Sequence, residues 1–427
     1  MFSVLLGLYP SYGYSSCWCL SILLVFMVPV LSSISLEGYV LSNDWVIDEW
    51  SVSLVFLSLW LGSLMSLFMG SSNSYCIWGV TVSGVLSFSC YNFLGFYVFF
   101  ELCLIPVVML MLKWGGSPER LSAIFYLFLY TLFGSFPLLV FICYRVVEDG
   151  HVFFGFSGNL LCGVGVLGFL VVLGFLIKLP MFPFHLWLTK AHVEAPTTGS
   201  MVLAGILLKL GGLGMIRVIS SFGCLSYGLS VFLIGVSLWG SVFAFFVAIS
   251  QVDSKALVAY SSVSHMALVL VGIVSGSYLG FISSVFLMVL HGLYSSGQFS
   301  VLGDVSSKIG TRCFVLFKGI SMVCPSVVMW WFILCCCSMG CPPFCSFLVE
   351  GFMGMVLGGI SFSLVVFFGF AVLLSGACSF VLYSSVVHGG VGSVLRPGMG
   401  YFFKTELMGF FHSVFLFMLF FFPGLVF

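Results

Sequence analysis

Charge is what this sequence has least of. Asp, Glu, Lys and Arg make up 6% of its 427 residues, where a soluble domain carries roughly a quarter. With 61% apolar residues and a mean hydropathy of +1.26, an ordinary soluble domain is excluded. Thirteen basic side chains balance thirteen acidic ones, so no net field exists to gather nucleic acid or an acidic lipid surface. Gln occurs twice, Asn four times and Thr seven times. A membrane location does not explain the shortage of Thr, since small hydroxyl residues pack well between transmembrane helices; it points to a coding strand rich in G and T, as in some organelle genomes. Met1 to Tyr14 lacks both the Arg-rich amphipathic pattern of an import leader and a basic segment followed by a small-residue cleavage site.

Nucleotide and metal chemistry are also poorly supplied. No Walker motif occurs. Gly163-x-Gly165-x-x-Gly168 matches a dinucleotide fingerprint but lies in an apolar helical run with no strand before it, and reads as helix packing. Sixteen cysteines are present, yet Cys335, Cys336, Cys337, Cys341 and Cys345 lack the paired spacing of zinc or iron–sulfur ligation and read as polarizable core fillers. The histidines show no pairing on two helices that would mark a haem bundle.

What is present is one apolar run after another. At about 20 residues per crossing, the length accommodates roughly 12 to 14 transmembrane helices in an all-α polytopic membrane protein. Most charges fall where apolar runs end: Asp44, Asp48 and Glu49; Lys113, Glu119 and Arg120; Arg145, Glu148, Asp149 and His151; Lys190, His192 and Glu194; Arg217; Asp253 and Lys255; Asp304, Lys308, Arg312 and Lys318. These read as solvated loop edges.

Four charges do not fit. Glu101 follows an uncharged stretch from Ser51 and precedes Lys113 by 12 residues. Lys178 ends the uncharged run from Leu160, Lys209 lies 15 residues after Glu194 in an apolar segment, and Glu350 is the only charge between Lys318 and His388. A charge at mid-membrane costs about 2.5 to 3.5 kcal/mol on insertion scales, so such residues mark function or pair with one another. His185, His265 and His291 lie in similarly apolar surroundings. Two readings stand: helix glue, in which Glu and Lys merely hold the bundle, and a proton relay. A buried ion pair is a poor source of stability because desolvation offsets its attraction, so the relay ranks first.

Pro180 and Pro183 interrupt one helix just after Lys178, and Pro342 and Pro343 interrupt another seven residues before Glu350. Two Pro-broken helices, each beside an ionisable residue, point to repeated transporter halves. Their spacing of 162 residues is about five helices, and an odd count would invert the second half.

Several segments carry a resemblance: FFELCLIPVVMLMLKWGGSPERLSAIFYLFLYTLFGSFPLLV (Phe99 to Val140), IKLPMFPFHLWLTKAHVEAPTTGSMVLAGILLKLGG (Ile177 to Gly212), QVDSKALVAYSSVSHM (Gln251 to Met266), HGLYSSG (His291 to Gly297) and PPFCSFLVE (Pro342 to Glu350). Over residues 90 to 360 the chain resembles the antiporter-like membrane subunits of mitochondrial NADH:ubiquinone oxidoreductase, respiratory complex I, in the chain 4 branch. It departs in a shortened N-terminus and in the tail after about Gly390. The resemblance implies two inverted five-helix repeats, each with a broken helix, arranged as N-terminal helices 1–85, a translocating core 86–360 whose second repeat reaches about 390, and C-terminal helices 361–427. It implies that the embedded Glu followed by Leu and Pro is Glu101, paired with Lys178; that the central Lys is Lys209; that the acidic residue of the second broken helix is Glu350; and that the channel histidines are His185, His265 and His291.

By the same resemblance, protons cross the inner mitochondrial membrane as electrons pass from NADH to ubiquinone. Opening and closing of the Glu101–Lys178 pair changes how firmly the lysine holds its proton. Lys178 passes a proton through His185 and trapped water to Lys209, and His265 and His291 carry it towards Glu350. The chain itself would hold no redox centre, cofactor or metal, with FMN, iron–sulfur clusters and ubiquinone elsewhere in the complex. Its partners would be other membrane-arm subunits, including neighbouring antiporter-like ones, and the bilayer, with no nucleic acid or nucleotide. A stand-alone or Mrp-type cation/proton antiporter is the alternative on the same residues. The composition makes one prediction that sequencing checks: the gene lies in mitochondrial DNA with a G- and T-rich coding strand, and a nuclear gene with balanced codons contradicts it.

Overall fold

The computed structural model describes residues 39–42, 44–69, 74–149, 153–154, 165–222, 225–389 and 403–425. The expected helices before residue 39, the start of the apolar run at Leu160 and the segment 390–402 lie outside them. The described chain opens on a two-stranded antiparallel hairpin, β1 (Tyr39–Ser42) and β2 (Trp45–Ile47). It is a departure from an all-helical reading, placed where Val40, Val46 and Ile47 favour strand in a polar link too short for a helix.

Helices make up nearly all of the rest. They are α1 (Glu49–Met69), α2 (Ser74–Ser89), α3 (Phe93–Leu102), α4 (Leu104–Trp114), α5 (Arg120–Asp149), α6 (Gly165–Lys178), α7 (Leu186–Glu194), α8 (Thr197–Val202), α9 (Leu208–Phe222), α10 (Tyr227–Ile249), α11 (Ser254–Val274), α12 (Tyr278–Ile309), α13 (Pro325–Ser338), α14 (Cys345–Gly358), α15 (Phe362–Val387) and α16 (Phe403–Phe421). A π-helical turn, Leu203–Leu207, joins α8 to α9. Nine of the resulting spans are long and apolar enough to cross a bilayer unaided. The shorter α2 and the two broken helices, α6–α7 and α13–α14, bring the described residues to twelve crossings, within the range expected from length.

Both breaks fall at the prolines. Residues Leu179 to His185 separate α6 from α7, and Met339 to Phe344 separate α13 from α14. The bonds Phe182–Pro183 and Pro342–Pro343 are cis. A broken helix inside a membrane needs other partners for its freed backbone groups. At the first break the Trp187 indole N–H donates to Ile177 O at 2.8 Å; at the second, Cys341 N–H reaches Cys336 O at 3.2 Å. Four crossings lie between the breaks (α8 with α9, α10, α11 and α12), joined by short links such as Ala195–Pro196 and Ser250–Asp253 that turn the chain back on itself. The second broken helix is therefore the fifth step from the first and runs the opposite way, which makes the repeats inverted.

Burial separates the helices into an inner and an outer set. The most apolar stretches of α8–α9, α11 and α12 are 100%, 89% and 83% buried, whereas those of α5 and α15 are 28% buried. Phe125, Phe133, Phe136 and Val140 on α5 and Phe362, Val366, Leu373 and Phe380 on α15 face outwards, the pattern of a lipid-exposed apolar surface on a multi-pass membrane protein. At the centre α12 packs against α1, α8, α9, α11, α13, α14 and α16.

Several charges read as solvated edges are buried instead. Arg145 is 5% exposed, Lys255 4%, Arg217 3% and His192 is fully enclosed. Helix ends in a large bundle sit under neighbouring loops, where carbonyls without helical partners accept from long basic side chains. Arg217 shows the logic: its guanidinium reaches Asp48 Oδ2 at 3.0 Å, Cys90 O at 2.7 Å and Phe88 O at 2.6 Å, tying α9 to the ends of α1 and α2. Lys255 donates to Ala195 O at 3.0 Å, closing the end of α7. Arg217→Leu would strand those two carbonyls and Asp48, and a loss on the order of 2 to 4 kcal/mol is expected. A lower thermal-denaturation midpoint of the purified assembly checks it; an unchanged midpoint contradicts the clamp.

Candidate functional site

The first pair forms where α3 ends. Pro106 cannot donate to the carbonyl four residues earlier, and the helix breaks at Cys103. That break leaves the Phe100 carbonyl available. Lys178, the last residue of α6, places its ammonium 2.7 Å from Phe100 O, 3.3 Å from Glu101 Oε1 and over the Phe100 ring, 3.0 Å from its centroid. The C-terminal ends of both helices thus face the cation, the end that favours positive charge. The pair is lopsided: Lys178 is 3% exposed and Glu101 18%, so the carboxylate is the partner with an outlet.

The second cluster is built on the π turn. A π turn opens the helix by one residue and exposes carbonyls. Lys209, two residues beyond it and fully buried, donates to Ala204 O, and its Nζ lies 2.9 Å from His291 Nδ1. Gly292 clears the way, because a Cβ there would stand 3.3 Å from Lys209 Cε and 2.7 Å from Leu57 Cδ2. A lysine ammonium only donates, so with Lys209 protonated His291 Nδ1 accepts and the ring hydrogen sits on Nε2. That Nε2 is buried without a hydrogen-bond partner. His265 follows, its ring centroid 6.1 Å from that of His291, and Tyr294 stands edge-on to both at 5.7 and 5.3 Å.

The structure therefore joins Glu101 with Lys178, and Lys209 with His291 and His265. It does not join the other two expected residues directly to these groups. His185 stacks on Phe182, 5.3 Å between centroids, and faces Tyr260 at 6.0 Å, with Nδ1 unpartnered. Glu350 lies half-buried on α14, its carboxylate against Gly340 in the break of the same helix.

Two further histidines escaped the reading of the sequence. His192 is stacked on Phe299 at 4.6 Å with both ring nitrogens unpartnered. Its position seven residues after His185, on the same helical face, was the available signal. His412 on α16 lies with Nε2 3.0 Å from Ser296 Oγ and Nδ1 2.8 Å from Met408 O; nothing in its local sequence sets it apart. A cavity of about 10 Å3, close to the minimum for one water, is lined by Ser261, His265, Gln298, Ser338, Ser375 and Ser379 among others. Among the described residues no group of three His, Cys, Asp or Glu side chains is arranged to hold a metal.

Two buried lysines on inner helices, one paired with a carboxylate beside a proline break and one beside a π turn, invite comparison with known proteins. The family model described as NADH:quinone oxidoreductase/Mrp antiporter, TM matches residues 90–375. The chain belongs to this antiporter family. Among relatives of the family, NADH-ubiquinone oxidoreductase chain 4 of Locusta migratoria is 36% identical, over 95% of this chain and 94% of its own length. The chain 4 proteins of Ceratitis capitata and Albinaria caerulea are each 38% identical, over 81% of this chain and 80% and 81% of their own lengths.

Solved structures share the antiporter fold at lower identity. Respiratory complex I from Thermus thermophilus with bound NADH contains a chain that superposes with a TM-score of 0.82 at 22% identity, covering 99% of this chain and 94% of that one. A chain of the Mrp complex from Dietzia sp. gives 0.82 at 19% identity over 94% of this chain; the present chain spans 47% of that longer one.

Gly340 has φ +74°, and a Cβ there would collide with the Glu350 carboxylate; Gly310 has φ +80° with open space around it. Gly310→Ala should therefore cost only the left-handed backbone penalty of about 1 to 2 kcal/mol. Gly340→Ala should cost that and the displacement of Glu350. Thermal denaturation of the two variants separates the effects, and equal losses would show that the carboxylate is not held against the break.

Proposed function

We propose that this chain is a membrane-arm subunit of a mitochondrial NADH:ubiquinone oxidoreductase, at the chain 4 position, and that it translocates protons across the inner mitochondrial membrane. The observation that carries the reading is the hydrogen-bonded contact of Lys209 with His291, continued by His265, inside helices shielded from lipid on all sides. Such groups are costly in a membrane interior and persist there as relays. Relatives named NADH-ubiquinone oxidoreductase chain 4, similar along most of the length, support the assignment to that complex over a stand-alone antiporter, and the Mrp likeness supports the fold.

The chemistry follows from the two clusters. Separation of Glu101 from Lys178 removes the only carboxylate bonded to that ammonium and changes its hold on a proton. His185 lies beyond the break with no direct bond to Lys209, so transfer between the lysines runs through ordered water. Lys209 then gives a proton to His291 Nδ1 as the Nε2 hydrogen leaves towards His265, and the ring must turn over before the next transfer. Glu350 is the terminal acceptor. The reading divides the chain into residues 1–85, a translocating core 86–360 with its second repeat reaching about 390, and 361–427. It places NADH oxidation, FMN, the iron–sulfur clusters and ubiquinone in other subunits of the complex, which drive this one through conformational and electrostatic coupling.

Lys209→Met in the assembled complex should lower coupled quinone reduction by an order of magnitude or more and lower the protons moved per electron, the scale expected for loss of a proton-transfer group. Unchanged turnover and stoichiometry would refute the central role. Glu101→Gln should reduce turnover while leaving assembly intact. Loss of assembly without any effect on proton transfer in the residual complex would favour helix glue. Copurification with quinone-reducing subunits separates complex I membership from an independent cation/proton antiporter.

A further inference from the structure

The stretch between the two central histidines and Glu350 is the least explained part of the relay, and its residues suggest how it is bridged. Three buried polar atoms there have no hydrogen-bond partner: His291 Nε2, the Tyr294 hydroxyl and Ser346 Oγ. Tyr294 is 3% exposed and stands edge-on to both His265 and His291. Ser346 is also 3% exposed and precedes Glu350 by four residues on α14, so the two side chains share one face of that helix, one turn apart. The helices that carry these groups are packed together, with Ser283 Oγ of α12 3.3 Å from Met353 Sδ of α14. The Glu350 carboxylate lies within electrostatic reach of Tyr294.

A phenylalanine would fill the ring space of Tyr294 equally well. Burying its hydroxyl without a protein partner gives no return in stability, and buried polar groups of this kind are satisfied by ordered water. We propose that the Tyr294 and Ser346 hydroxyls, with water between them, form the hydrogen-bonded bridge that carries protons from the His265–His291 pair to Glu350. The proposal rests on the relay described under Proposed function. In the transfer, Tyr294 oxygen takes a proton from the histidine side while its own hydroxyl hydrogen leaves towards Ser346; the serine does the same, and the carboxylate of Glu350 accepts the last proton. Each hydroxyl then rotates back. No charge remains on either oxygen, and no electron moves.

The test is Tyr294→Phe in the assembled complex, with Ser346→Ala and Lys209→Met prepared alongside. The expected result for Tyr294→Phe is assembly and thermal stability equal to the parent, coupled turnover lowered roughly three- to tenfold, fewer protons pumped per electron in sealed vesicles, and a larger solvent deuterium isotope effect. Parent-like turnover, stoichiometry and isotope effect in Tyr294→Phe, with Lys209→Met impaired, overturns the bridge and leaves the relay standing. Parent-like behaviour of Lys209→Met overturns the relay itself and the bridge with it. Should Tyr294→Phe fail to assemble, Ser346→Ala decides: a lowered proton stoichiometry supports the bridge, and an unchanged one overturns it.

Discussion

An ammonium group in the centre of a membrane bundle must be solvated by the protein, and the surroundings of Lys209 are arranged to do so. No carboxylate is bonded to it. Its contacts are a backbone carbonyl released by the π turn and a histidine nitrogen on the facing helix. Each of these has its own requirement: the turn must stay open, α12 must come close enough for His291 to reach, and Gly292 must carry no side chain where the lysine stem passes. The enclosure of α12 by seven other helices follows from the same need, because a lysine held by neutral partners is sustained only where lipid is kept away.

The contrast with Lys178 is informative. That lysine has a carboxylate at 3.3 Å, a carbonyl and an aromatic face, and its carboxylate partner is the more exposed member of the pair. One lysine is bonded to an anion that can withdraw, the other to neutral groups that cannot. A device with one adjustable and one fixed cation can convert movement at the first into a change of proton affinity along the chain between them. The proline break beside Lys178 places the flexible element next to the adjustable partner, whereas the second break lies beside Glu350, at the far end of the relay.

Much of this was legible in the sequence because charge is so rare that each ionisable residue could be weighed alone. Glu101, Lys178, Lys209 and Glu350 stood out by distance from any other charge, and the two proline pairs located the broken helices. The order of the helices and the odd step between the breaks followed from apolar runs and their spacing. What stayed hidden depended on tertiary packing. Arg217, Lys255 and His192 lie near helix ends, where sequence position alone suggests water, yet neighbouring elements cover them. Tyr294 looked like one more aromatic residue in an aromatic-rich chain, since an unpartnered hydroxyl is a property of surroundings. The cysteines read as core fillers are divided: Cys335, Cys337 and Cys345 are buried, and Cys336 and Cys341 partly so.

The π turn at Leu203–Leu207 also bears on how insertions and deletions act here. Such a turn is an α-helix that has taken in one extra residue. Removing any one of those five residues would let the segment relax to regular α-helix and rotate everything after it by about 100°. Lys209 would then leave the face it shares with His291, and Leu208 or Leu210 would come round towards the histidine. In this stretch the length of the chain sets the position of the charge as firmly as the identity of the residue does.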